Sequence, residues 1–240
     1  ILLLFAWRVL LRLFFRVQRD GWPRETRRVL IVGAGSVGCQ VGDLLRAPGV
    51  GARTLEPLIA DAGSARALLD VPSSRLPDAL QDYLQAPDWH GVDQDMAWLE
   101  QPDHHLLRAG DAAWPSRLRE SSNPPLALFL HGDPELLALP QLAIVGSRTP
   151  SSSGERTARE FAAHLAGRGL VIASGLASGI DAAAHRGALS ADGLTLAVTG
   201  TGLDRVYPAR NRDLAHEITV NGLLVSEFPT GTPPLPTNFP

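Results

Sequence analysis

The sequence predicts an α/β fold, a mostly parallel sheet covered by helices on both faces, with a small helical domain in front of it. Two observations predict the sheet. Short, almost uninterrupted apolar runs alternate with helical stretches from about residue 126 onward. Several of these runs lead directly into glycine-containing turns that open helices, as at the carboxyl edge of a parallel sheet. The chain before this region is acidic and helical, which predicts the separate domain.

The charge of the chain is distributed unevenly. Its 240 residues carry a net charge of -3 and contain no lysine. Residues 1–46 have eight Arg against three acids, residues 47–140 six against fourteen, and residues 141–240 eight against eight. The overall basic footprint of a nucleic-acid binder is therefore absent, so any polyanion site must be local. The single cysteine, Cys39, fits a reducing compartment, and we expect a cytoplasmic protein.

The first 46 residues differ from the rest. Arg8, Arg12 and Arg16 lie on one face of an apolar helix, which predicts membrane contact through residues 1–16 if these are native. The "GAGSVG" turn that follows has the form of a dinucleotide fingerprint, but no second strand comes after it. The segment resembles the membrane-to-Rossmann junction of polysaccharide-biosynthesis proteins (sugar-nucleotide epimerases and sugar transferases). We therefore expect residues 1–46 to be foreign to the remainder.

Residues 47–103 are predicted to form the small helical domain. "PGVG" opens two short helices, and further helices are expected at 78–85 and 91–101. The PGVG turn is either a plain helix start or a phosphate-presenting turn like that of a helix-hairpin-helix module. His104 and His105 have no Cys or carboxylate at ligand spacing, so no metal site is predicted. The sheet domain then takes residues 104–240.

The predicted strands are "LALFL", "LAIV", "LVIA", "LTLAV" and "LLVS", with helices near 154–168, 181–190 and 211–221. After "LAIV" come Gly146, Ser147 and Arg148, and Ser152 with Glu155 has the spacing of a capping box. Arg148 is placed to bind a phosphate with two hydrogen bonds.

The next strand end carries Ser174, Gly175 and Gly179, with Ser178 and Asp181 spaced as a second capping box. Asp181 is a helix cap or an acid, and His185 either orients against Asp181 or packs under the loop. No cofactor-binding motif beyond the incomplete fingerprint, no GxSxG elbow and no GxxxxGK[ST] loop is present, so no catalytic residue is assigned.

The two remaining strand ends complete the edge. Gly200 and Gly202 follow one strand and precede Tyr207 and Asn211, and Ser226 and Glu227 follow the last strand. Helix N-termini present N–H groups and a partial positive charge, so converging turns of this type predict a phosphate-binding rim that needs no lysine. Ordinary strand-to-helix connections are the alternative.

Four stretches carry a specific resemblance: "AIVGSRTP", "SGLASGIDAAAHRGAL", "GTGLDRVYPARNRDLA" and "SEFPTGTPPLPTNFP". They resemble the DprA/Smf family of DNA-processing proteins, and the likeness extends over about residues 47–240. The resemblance implies an extended Rossmann-like domain that binds single-stranded DNA, helps load the RecA recombinase during natural transformation, forms a homodimer and has no established catalysis. A C-terminal winged-helix module is common in the family.

The resemblance also implies roles for particular residues. Gly146, Ser147 and Arg148 would form one phosphate cradle, and a second would use Ser174, Gly175, Ala177 and Gly179. The neighbouring loop would use Gly200, Gly202 and Asn211, with Tyr207 as the base contact because an aromatic face accepts any base.

The chain departs from the family pattern in two respects. It lacks the Arg-Asn-Arg segment that follows "NFP" in the family, and Ser178 stands where Arg is common. We therefore expect a fragment with an incomplete sheet and a weaker, less salt-dependent interaction with DNA. A Rossmann-like nucleotide-phosphate hydrolase is the first alternative, although "GTGLDRVYP" lacks the expected Glu and only Glu227 lies on another strand end. A membrane-linked sugar-nucleotide enzyme, implied by residues 1–46, is the second.

Overall fold

The computed structural model describes residues 46, 50, 52–63, 67–68, 70–121 and 124–239. These residues belong to two compact units, one ending at Asp88 and the other beginning at Trp89. The predicted basic helix of residues 1–16 and the "GAGSVG" turn lie outside the described residues. Within the part that is described, no helix has the length and apolar character needed to cross a bilayer.

The first unit is helical, as its sequence predicts. It contains α1 (Ala52–Ala62), a 3₁₀ turn (Ser73–Arg75) and α2 (Asp78–Gln85). Its buried side chains include Leu55 and Leu80, each fully buried. Residue 50 is the only described position of the PGVG turn, so the two interpretations of that turn remain open.

The second unit contains the sheet. Its helices are α3 (Trp89–Leu99), α4 (Ser116–Arg119), α5 (Ser152–Ala166), α6 (Ile180–Ser190) and α7 (Arg212–Asn221). Its strands are β1 (His104–Arg108), β2 (Ala127–Gly132), β3 (Gln141–Ala143), β4 (Val171–Ser174), β5 (Thr195–Thr199) and β6 (Gly222–Ser226). Three 3₁₀ turns accompany them: Pro134–Ala138, Ala209–Asn211 and Pro236–Asn238.

The six strands form one sheet in the order β1-β2-β6-β5-β4-β3. β3, β4, β5 and β6 are mutually parallel, whereas β2 runs antiparallel to both β6 and β1. The predicted α/β class and mostly parallel sheet are confirmed. Because β3 to β6 follow one another across the sheet in sequence, their carboxyl ends lie along one continuous edge.

The two faces of the sheet are covered differently. On one face Ile172 of β4 packs with Ala162 and Ala166 of α5 and with Ala184 and Ala188 of α6. Strands added in one direction by right-handed crossovers place their helices on the same face.

The opposite face has a separate core that includes Val171, Leu196 and Leu223 of the sheet and is covered by Trp114 and Leu136. These two side chains come from the β1–β2 connection and from a 3₁₀ turn, so the covering of this face is short segments rather than long helices.

One strand was not predicted from the sequence. His104–Arg108 forms β1, and His104 pairs with His131 of β2 in an antiparallel ladder. The segment "HHLLR" begins with two histidines and is short, so its period-2 pattern is weak. The predicted helix 91–101 begins and ends two residues earlier, at Trp89 and Leu99. The predicted boundary between the helical domain and the sheet domain lies near residue 103. In the structure the sheet unit begins at Trp89 and therefore includes α3.

Candidate nucleic-acid interface

The candidate site lies along the edge where β3, β4, β5 and β6 end. β5 and β6 are in register from Thr195 to Thr199, which brings Thr199 beside Ser226 at the edge. Ser174 of β4 pairs with Ala197 of β5, and Ala143 of β3 with Ala173 of β4. The four predicted strand ends are therefore neighbours, and we call this edge the rim.

The loop after β3 rests on the N-terminus of α6. The amide of Ile180 donates to the Ser147 carbonyl oxygen at 3.1 Å. Gly179 has a φ of 79°, and a Cβ at this position would collide with that same carbonyl oxygen. A glycine is required here both for the left-handed backbone and for the close approach of the two loops. One of the first N–H groups of α6 is consequently used inside the protein.

The loop after β4 is held in an unusual conformation. Leu176 has a φ of 58°, in the left-handed region, while its side chain is only 1% exposed. Two side chains fix the backbone on either side of it. Asp181 Oδ2 accepts from the Ala177 amide at 3.3 Å, and Asn211 Nδ2 donates to the Leu176 carbonyl oxygen at 2.8 Å. A left-handed non-glycine residue costs about 1–3 kcal/mol, so this loop depends on its surroundings for its shape.

The loop after β5 is covered by residues 229–239, which we call the strap. The Gly202 amide donates to the Thr232 carbonyl oxygen at 3.1 Å. A Cβ at Gly200 would lie 2.5 Å from the Asn238 carbonyl oxygen, and one at Gly202 would lie 2.5 Å from the Pro229 carbonyl oxygen. Both glycines therefore allow the strap to lie against the loop.

An aromatic pair lies beside this covered loop. The rings of Tyr207 and Phe239 have centroids 5.6 Å apart and are tilted by 48°. Tyr207 is 47% exposed, so much of this residue remains accessible to solvent. The strap thus contributes the second ring of a platform on which a planar group could stack.

Positive charge at the rim comes from arginine alone. Arg148, Arg210 and Arg212 are exposed on the loops after β3 and β5 and at the start of α7. Arg205 is also exposed, but its guanidinium is paired with Asp204 through Nη2 at 2.8 Å. Arg210 and Arg212 flank the buried Asn211. The sequence analysis did not predict these two arginines as site residues, although their spacing around Asn211 in "ARNRD" could have indicated them.

The predicted capping boxes are wrong in detail. α5 begins at Ser152, its N-cap is Ser151, and the Ser151 hydroxyl accepts from the Gly154 amide at 3.2 Å. Ser152 therefore lies inside the helix, and Glu155 is one residue beyond the position that closes a box. The three consecutive serines made the register ambiguous in the sequence.

At α6 the N-cap is Gly179, which makes no side-chain cap, so Ser178 does not cap the helix. Asp181 instead stabilises the loop in front of the helix, through Ala177. The positive φ of Gly179 turns the chain differently from an ordinary Ser cap, whose backbone is extended.

His185 lies away from the rim. Thr195 Oγ1 donates to the Ile172 carbonyl oxygen at 2.7 Å, so it accepts from His185 Nδ1, also at 2.7 Å. Thr195 begins β5, so His185 points toward the amino end of the strands and makes no bond to Asp181 among the described residues. Its Nε2 is buried without a hydrogen-bond partner there. Burial lowers the pKa of His185 to about 3, which keeps the ring neutral.

The hydroxyls of two predicted rim residues have protein partners. Ser174 Oγ donates to the Ile144 carbonyl oxygen at 2.6 Å, and Ser226 Oγ donates to the Thr201 carbonyl oxygen at 2.7 Å. Both hydroxyls tie neighbouring strand ends together. Glu227 follows at the rim. Its side chain is exposed, but the surrounding protein partly desolvates the carboxyl and raises its pKa. The predicted phosphate contacts of the rim residues remain predictions.

The sequence of this chain is similar to those of several known proteins. The sequence model of the DNA recombination-mediator protein A family matches residues 105–240. Protein Smf of Escherichia coli is 46% identical over 161 residues, which are 67% of this chain and 43% of that protein. DNA processing protein DprA of Streptococcus pneumoniae is 37% identical over 174 residues, 72% of this chain and 59% of that protein. The chain thus spans about half the length of these relatives.

Two solved structures resemble this one. The X-ray structure of DprA from Streptococcus pneumoniae superposes with a TM-score of 0.67 at 30% identity, covering 81% of this chain and 69% of that chain. DNA processing protein A of Helicobacter pylori, whose structure is described as showing a single-stranded DNA binding mode, has a TM-score of 0.51 at 32% identity, covering 57% and 60%. Since the family match spans the whole rim and more than half of the chain, this chain belongs to the DNA recombination-mediator protein A family.

Proposed function

We propose that this chain binds single-stranded DNA along the rim and serves in the processing of incoming DNA during natural transformation. The observation that carries the proposal is the convergence of four strand ends at one edge, with exposed arginines and an open aromatic ring beside them. The Helicobacter pylori relative, described by its single-stranded DNA binding mode, supports it.

The rim matches the chemistry of a single strand better than that of a duplex. Arg148, Arg210 and Arg212 supply separate positive charges for backbone phosphates. The Tyr207 ring, 47% exposed, offers a stacking face that an unpaired base can reach and a paired base cannot. Sequence-independent binding follows, because every base has a face that can stack.

The wider role is proposed from family membership. In this wider role the protein is a cytoplasmic homodimer that hands single-stranded DNA to the RecA recombinase. No catalytic step is included, because Asp181, the carboxylate beside the loop after β4, accepts from the Ala177 amide and so serves the shape of that loop. Release of product from a nucleoside monophosphate would overturn this part and favour the hydrolase alternative.

The test is fluorescence anisotropy of a labelled oligo-dT titrated with the full chain at several salt concentrations, beside a duplex of equal length. We expect the single strand to bind more tightly and the binding to weaken with salt. Arg148→Ala removes one phosphate contact, so the slope of log affinity against log salt should become shallower by about 0.7.

Arg168→Ala is the matched control, because Arg168 is exposed just before β4, at the opposite end of the strands from the rim, and its loss changes the net charge equally. Equal slopes in the two variants would place the phosphate path away from Arg148. Equal affinity for single strand and duplex would overturn the proposal.

A further inference from the structure

One hydrogen-bonded pair joins the strap to α3. Asp95 is only 3% exposed, and its Oδ1 accepts from both the amide and the hydroxyl of Thr230, at 2.8 and 2.7 Å. Thr230 is itself 4% exposed. Asp95 lies before residue 105, where the match to the family model begins. The pair therefore links a helix outside the matched region to a segment of the rim.

The strap is attached mainly at its two ends. Near its start, the Gly231 amide donates to Asp204 Oδ1 at 2.8 Å, next to the Asp95–Thr230 pair. Near its finish, Asn238 Nδ2 donates to the Gly200 carbonyl oxygen at 3.1 Å. The residues between, 233–237, are all exposed. The path of the strap is thus determined by its anchors rather than by burial of its middle.

The strap ends at the aromatic pair. Phe239 packs against Gly200, where a Cβ would lie 2.9 Å from its ring, and against Tyr207. Three prolines stiffen the residues between, so we expect a shift at the start of the strap to be transmitted to Phe239. A buried carboxylate that keeps its hydrogen bonds is a firm anchor, since breaking them leaves a desolvated charge without compensation.

We infer that Asp95 and Thr230 are positioning residues for the platform formed by Tyr207 and Phe239. Neither touches DNA in this arrangement. They fix the strap so that the two rings present a surface to an unpaired base, and they thereby set the preference for DNA that carries bases over a bare sugar-phosphate chain. This inference rests on the proposed function, because it names the part of the rim that reads the bases.

The test compares binding of oligo-dT with binding of an abasic oligonucleotide of the same length. In the unaltered chain oligo-dT binds more tightly, because stacking adds to the phosphate contacts. Asp95→Leu and Thr230→Val should each weaken oligo-dT binding about fivefold to tenfold, the range of one lost stacking contact, and leave abasic binding within about twofold. Thr230→Ser retains the hydroxyl and should keep the base preference.

Asp93→Leu is the control, since Asp93 is exposed on the same helix. Hydrogen exchange of the full chain supplies a readout without DNA. In Asp95→Leu and Thr230→Val, exchange should rise in peptides covering 200–207 and 229–239 and stay unchanged in α6. Faster exchange in α6 as well would indicate general destabilisation and would overturn the positioning role.

The possible failures are distinguishable. If the unaltered chain binds oligo-dT no better than duplex, the proposed function fails. If it binds oligo-dT but the variants retain the full preference over the abasic strand, the positioning role alone fails. Equal losses for oligo-dT and the abasic strand would also overturn it, because the effect would then not concern the bases.

Discussion

The side-chain amide of Asn211 donates to the carbonyl oxygen of Leu176 at 2.8 Å, across 35 positions of sequence. It also donates to the Ala177 carbonyl oxygen at 3.3 Å. Asn211 is 3% exposed, so its amide acts within the protein and connects the loop after β5 with the loop after β4. Its structural role is to hold the left-handed Leu176 in place.

Asn211→Asp should therefore impair the loop. A carboxylate cannot donate to the two carbonyl oxygens and is repelled by them, so we expect a loss of about 1–3 kcal/mol in the free energy of unfolding. Affinity for oligo-dT should fall about tenfold, the equivalent of about 1.4 kcal/mol. Denaturant unfolding and anisotropy provide the two measurements. Asn221→Asp, at an exposed position, should change the free energy of unfolding by no more than about 1 kcal/mol. A loss there as large as that in Asn211→Asp would contradict the role of Asn211 in holding the loop.

Gly179→Ala should destabilise the protein strongly. The new Cβ meets the Ser147 carbonyl oxygen, and the φ of 79° is strained for alanine. We expect a loss of at least about 3 kcal/mol in denaturant unfolding. Gly169→Ala separates the two causes, because Gly169 has a φ of 87° but nothing within 4 Å of its added Cβ. Equal losses in the two variants would mean that backbone strain alone, and no loop contact, is responsible.

Ser174→Ala tests whether a predicted rim hydroxyl acts on the fold or on DNA. Its Oγ donates to the Ile144 carbonyl oxygen at 2.6 Å, which should contribute about 1 kcal/mol to stability. We expect that loss in thermal or denaturant unfolding, with the salt dependence of oligo-dT binding unchanged. A shallower salt slope with unchanged stability would assign the hydroxyl to a phosphate instead.

His185 should make the fold sensitive to acid. Burial lowers its pKa from 6.5 to about 3 in the folded protein, so between these values the unfolded chain binds the proton more readily. The stability contributed by the neutral ring is present above about pH 6.5 and is lost as the pH falls toward 3. His131 adds to the effect in the same direction, because burial, with like charge from His104, lowers its pKa to about 4.

The measurement is the free energy of unfolding at pH 7 and pH 5. In His185→Gln the decrease between these values should be smaller by about 2 kcal/mol. His105→Gln, exposed on β1, should show nearly the decrease of the unaltered chain. An unchanged pH dependence in His185→Gln would show that this histidine is not responsible for the acid sensitivity.

The sequence by itself determined the class of the fold and the position of the rim. Buried parallel strands need continuous apolar runs, so "LVIA", "LTLAV" and "LLVS" can be predicted as strands from the sequence alone. The turns after these strands can be predicted as well, because they contain glycines, and the close contacts at Gly179 and Gly200 leave no room for a side chain. Local signals of this type survive in a single sequence.

Only the tertiary structure decided what the rim side chains do. Asn211 and Ser174 each bond to a backbone carbonyl 30 or more positions away, and Asp95 meets Thr230 across 135 positions. His185 bonds to Thr195 of the next strand. Their partners are set by how strands and loops lie against each other, which no spacing rule expresses. For the same reason the sequence marked the strap only as part of a stretch that resembles the family: its contact with the loop after β5 depends on the tertiary structure.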